Sequence, residues 1–93
     1  MTALERIAKI EREVAVRLGI PKERVRAVFY LNEYLEPIVI VQIFCQNGYA
    51  TAEALASKDD EEIVGHLVHR LREDYSEAIS AIQKILSGGE SDA

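Results

Sequence analysis

The chain has 93 residues, 48% hydrophobic and 29% charged, with a formal net charge of −5 and a pI near 5.0. That balance describes a folding chain rather than a disordered one, and its length holds one small domain inclined to gain stability from association. A net negative charge works against binding nucleic acid, which rests on Lys and Arg displacing counterions; no apolar run is long enough to cross a bilayer as a helix, and Cys45, the single cysteine, has no internal disulfide partner.

The charge is unevenly spread: residues 1–31 carry seven Lys/Arg against four Glu, a balance of +3 that leaves −8 for residues 32–93. The opening MTALERIAKIERE has charges every few residues and no apolar core, unlike a secretory leader, so a cytoplasmic location is expected. The lone cysteine agrees with a reducing compartment.

Thr2-Ala3-Leu4-Glu5 has the pattern of a reciprocal capping box. Leu4, Ile7, Ile10, Val14 and Leu18 follow at helical spacing, and Gly19 and Pro21 close the segment, so a first helix is predicted over 3–18. VRAVFYL over 25–31 is rich in β-branched and aromatic residues and predicts a first strand. A polar connection, NEYLEP, leads to a second strand over about 38–46.

Asn47-Gly48 fits the centre of a two-residue type I′ turn, which predicts a hairpin with Cys45 facing Ala50 and Ile43 facing Ala52. In that register Val41, Ile43, Cys45, Ala50, Ala52 and Ala54 share a smooth apolar face, while Gln42, Thr51 and Glu53 share the other. Alanine is a poor strand former, so ATAEALAS also admits a short helix. Ser57 is placed as the N-cap of a last helix over 58–87, with carboxylates at 59–62 near its positive end. As one rod it would reach ~45 Å, beyond a compact domain of this size, so it either extends onto a second subunit or breaks near Asp74, where Asp74-Tyr75-Ser76-Glu77 can cap a new helix. Residues 1–87 make one α+β domain of αβββα order, a helix, a three-stranded antiparallel meander and a long helix forming a two-layer sandwich completed by dimerisation; 88–93 read as a flexible tail.

The second strand is apolar on both sides: Val39, Val41, Ile43 and Cys45 point one way, and Ile38, Ile40 and Phe44 the other. A three-stranded antiparallel sheet normally leaves one face to water and alternates accordingly. With Val28 and Tyr30 from the first strand and Tyr49 from the third, the second face offers an apolar patch on the order of a few hundred Å², the size that marks an interaction site. Three coverings answer this: helices straddling the sheet within one chain, a homodimer packing second faces or long helices across a two-fold axis, or a ligand or different protein.

Chemical motifs are sparse. Glu62, His66, His69 and Glu73 share one side of the last helix at spacings that can chelate a metal, although not in the zinc-protease pattern; the plain alternative is an exposed polar face. Cys45 reads as a small buried hydrophobe, and Glu11, beside Ile7 and Val14, as a carboxylate reaching water, a basic neighbour, a ligand or a partner. The glycines form no phosphate loop and the serines no nucleophile elbow, so neither catalytic residues nor cofactors are assigned. Double-stranded-RNA-binding domains share this element order but meet phosphate with lysines at the start of the last helix; SKDDEE, with one lysine and four carboxylates, excludes that role.

The sequence therefore predicts a cytoplasmic homodimeric adaptor, inhibitor or regulator, not an enzyme. Its contact residues are Ile38, Ile40, Phe44, Val28, Tyr30 and Tyr49. Its expected partners are a second copy of itself and another protein, with no direct contact to nucleic acid or membrane. Two alternatives stand beside it: a ligand or metal module using the second sheet face or the Glu62/His66/His69/Glu73 helix face, and an acidic decoy presenting 59–62 with Glu73 and Asp74 to a nucleic-acid-binding protein.

Overall fold

The computed structural model describes residues 2–86; the tail expected at 88–93 lies outside them. Helix α1 spans Ala3–Leu18, a 3-10 turn spans Lys22–Arg24, strands β1, β2 and β3 span Val25–Leu31, Pro37–Cys45 and Gly48–Leu55, and helix α2 spans Asp60–Leu86. The strands form one antiparallel sheet in the order β1-β2-β3. This is the expected α+β, αβββα arrangement, and 50–55 is strand rather than helix.

Local chemistry sets the ends of α1. The Thr2 hydroxyl accepts from the Glu5 amide, and the Glu5 carboxylate accepts from the Thr2 amide at 2.7 Å. At the other end Gly19 takes the left-handed conformation, φ 67°, and its N–H reaches the Ala15 and Val16 carbonyls.

Both helices lie on the same face of the sheet. Helix α1 packs on β1, α2 packs on β3, and the helices pack against each other. The core between the layers holds Ile10, Val14 and Leu18 from α1, Val39, Val41 and Ile43 from β2, and Ile63, Leu67 and Leu71 from α2. Ala50, Ala52 and Ala54 are buried beneath α2, where their small side chains admit a closely seated helix. A straddling arrangement, one helix per face, is therefore not what this chain adopts.

Three expectations need correction in detail. The hairpin pairs Cys45 with Gly48 and Ile43 with Ala50, so Gln46-Asn47 is the turn and Gly48 the first residue of β3. No type I′ turn forms on Asn47-Gly48, because Asn47 does not take positive φ; Gly48 instead takes φ 141°. The register differs from the expected one by two residues, an even step that leaves each side chain on its predicted face. The N-cap of α2 is Asp59 rather than Ser57: its carboxylate accepts from the Glu62 amide at 2.9 Å, and its carbonyl from the Ile63 amide.

The long helix breaks where its sequence suggested. Tyr75 has non-helical angles, φ −135° and ψ 32°, and beyond this kink Ile79 and Ile82 turn into the core. The Gln83 side-chain amide donates to the Leu18 carbonyl at 2.6 Å, fastening the second half of α2 to the end of α1. The molecule measures 49 × 25 × 18 Å.

Candidate interaction face

The sheet face turned away from the helices is built by strict alternation. Register sets Arg26, Gln42 and Thr51 level, then Val28, Ile40 and Glu53, then Tyr30, Ile38 and Leu55, with Phe44 beside Tyr49 near the hairpin turn. No other element of the described residues packs on it.

Side chains within the face order one another. The rings of Phe44 and Tyr49 meet edge-on, centroids 5.4 Å apart and planes at 63°, and the Arg26 guanidinium lies over the Phe44 ring at 5.9 Å. The Glu53 carboxylate lies near the Tyr30 phenol; partial burial of the phenol, and then that carboxylate, raise its pKa above the ordinary tyrosine value.

Of the six residues expected to make contacts, the structure puts all on this face but does not expose them equally. Val28 is 43% exposed, Tyr30 38% and Tyr49 62%. Ile40 and Phe44 are half-buried. Ile38, level with Tyr30 and Leu55, is only 6% exposed, so it offers almost no surface to a partner. Leu55, 39% exposed, belongs to the face and was missed; continuing the alternation of Tyr49, Thr51 and Glu53 by one step finds it.

The other candidates separate. Glu62, His66, His69 and Glu73 are all exposed; His69 Nε2 is 3.9 Å from Glu73, and among the described residues no three His, Cys, Asp or Glu side chains gather as a metal site. Cys45 is half-buried, its thiol donating to the Ile43 carbonyl at 3.6 Å, at the edge of a groove of about 230 Å³ between the hairpin turn and the second half of α2.

Glu11 has a structural task that the sequence did not show. Its carboxylate accepts from the Ala27 amide at 2.8 Å, capping a backbone N–H on the outer edge of β1. The acidic start of α2 is largely engaged inside the chain: Asp59 caps the helix, Asp60 meets Arg6 at 2.7 Å and Lys9 at 3.5 Å, and Glu61 meets Arg17 at 3.0 Å. The charge asymmetry of the sequence thus becomes attraction between α1 and α2. No helix among the described residues is long and apolar enough to cross a membrane.

No protein-family model matches the chain, and neither a curated protein nor a solved structure matches it.

Proposed function

We propose that this chain is a homodimeric interaction module of the cytoplasm, an adaptor, inhibitor or regulator without catalytic chemistry, and that its open sheet face is the surface that associates. The observation carrying this reading is that both helices cover the same side of a sheet whose middle strand is apolar on both. Ile40, Phe44, Val28, Tyr30, Tyr49 and Leu55 are left facing outward, with the polar row Arg26, Gln42 and Thr51 between the hairpin aromatics and the rest, and outward apolar surface on this scale is a site of association. Two-fold pairing is the simplest closed solution, since one surface then covers its own copy.

Sedimentation equilibrium tests the reading. Wild type sediments as a dimer at micromolar concentration. Ile40→Asp, and Val28→Lys at the more exposed neighbouring position, sediment as folded monomers with unchanged far-UV circular dichroism. A wild-type chain that stays monomeric and soluble at high concentration ends the proposal.

A further inference from the structure

Of the strand residues on the open face, only Arg26 and Glu53 carry formal charge, and among the described residues neither enters an ion pair. They sit diagonally on the two outer strands: Arg26 is level with Thr51, and Glu53 lies two residues further along β3. With strands ~4.8 Å apart and a rise of ~3.4 Å per residue, their backbone positions are about 12 Å apart. The intervening surface is Ile40 and Gln42 of β2. The Phe44 ring beneath Arg26 and the Tyr30 phenol near Glu53 neutralise neither charge, so a partner that dries this face must supply one anion and one cation at those places, because covering a charge without a counter-charge is strongly unfavourable.

A second copy supplies both by symmetry. We infer that the chain dimerises face to face about a two-fold axis passing over β2 between Ile40 and Gln42, with Arg26 of each protomer paired to Glu53 of the other. An isologous contact of this kind puts residue i on residue j and j on i, so one cation and one anion per chain give two reciprocal bridges. The two positions superpose when the axis is inclined roughly 35° to the strands, which crosses the two sheets at about 70°, in the near-orthogonal class of sheet packing. Val28, Ile40 and Tyr30 on one side of the midpoint and Gln42, Thr51 and Tyr49 on the other then lie about equally near the axis, so the centre is apolar toward Tyr30 and polar where Gln42 and Thr51 meet it. The bridges set register and partner choice, while the apolar residues supply most of the affinity.

This inference rests on the open face being a homodimer contact, and charge reversal separates the two claims. Arg26→Glu gives a chain whose face presents two carboxylates, and Glu53→Arg one that presents two guanidiniums, so each alone opposes like charges twice per dimer. Both positions are exposed, and thermal melts check that the monomers remain folded. In sedimentation equilibrium each single variant has a dimer Kd raised about tenfold or more. An equimolar mixture of the two associates as a heterodimer with near-wild-type Kd, identified by native mass spectrometry, and the double variant Arg26→Glu/Glu53→Arg regains its homodimer. Single variants that dimerise like wild type, or a mixture and a double variant that stay dissociated, overturn the Arg26–Glu53 pairing while leaving the dimer in place. A monomeric wild type overturns both claims.

Discussion

At Gly48 a backbone angle alone dictates the residue. Its φ of 141° lies where side-chain-bearing L residues are strained, yet a Cβ built there meets nothing within 4 Å. Gly48→Ala therefore isolates conformational strain from steric clash, and should cost about 1–2 kcal/mol. It is read as a lower urea midpoint at constant slope; an unchanged midpoint would mean that the hairpin adopts a different turn at no cost. Leu35 is the contrasting case, a bulky residue at φ 62°. Its strained turn is held by Asn32, whose side-chain oxygen accepts from the Tyr34 and Glu36 amides at 2.9 Å and whose carbonyl accepts from the Leu35 amide. Glu11 belongs to the same scale. A carboxylate on the margin of an apolar stripe is anomalous in sequence because its partner is an edge amide 16 positions away, which no helical wheel displays.

Between elements, the helix layer is joined by polar clasps at its margins as well as by its core. Arg6 on α1 donates to Asp60 at 2.7 Å and to the carbonyls of Ala56 and Lys58, and its guanidinium lies 5.5 Å from the centre of the Phe29 ring. The hydrogen bond from Arg6 is the largest influence on Asp60 and, with the nearby positive charges of Arg6 and Lys9, holds its pKa below the ordinary carboxylate value despite partial burial. Because the folded pKa is the lower one, this contribution to stability is fully present above the unfolded value, near ~3.9, and is lost as pH falls through the folded pKa. Arg6→Lys keeps the charge but not the planar fork that reaches three acceptors, and is expected to lose about 1–2 kcal/mol at neutral pH. Denaturant melts of wild type and Arg6→Leu should differ by a constant amount from pH 7 to 5 and by less as pH drops below about 4, the remainder belonging to the carbonyl bonds and the Phe29 contact. A gap that does not narrow in acid would remove Asp60 from the account.

For the molecule as a whole, the consequence of one-sided helix packing is an unfinished sandwich. Two helices side by side roof a three-stranded sheet, and their buried residues form one continuous core with a single sheet face; the opposite face then needs water or a partner. If a second copy supplies the cover, thermal stability is linked to concentration by mass action. The wild-type melting temperature should rise by roughly 5 °C over a hundredfold increase in protein concentration, while that of Ile40→Asp stays fixed. Concentration-independent melting of the wild type would speak against association at this face.

The sequence by itself determined the elements and their sidedness. Capping chemistry at Thr2 and Gly19 set α1, period-two alternation assigned each strand residue to its face, and a helix too long for its domain announced the break now seen at Tyr75. These features rest on interactions a few residues apart, or on a periodicity that survives even a two-residue error in hairpin register. Only the tertiary structure decided that α1 and α2 share one side of the sheet, that Ile38 is already buried within the chain, and that Glu11 serves the edge of β1. The physical reason is that periodicity tells which side of an element is apolar but not which other element comes to lie against it. That choice is made by contacts between residues far apart in the chain.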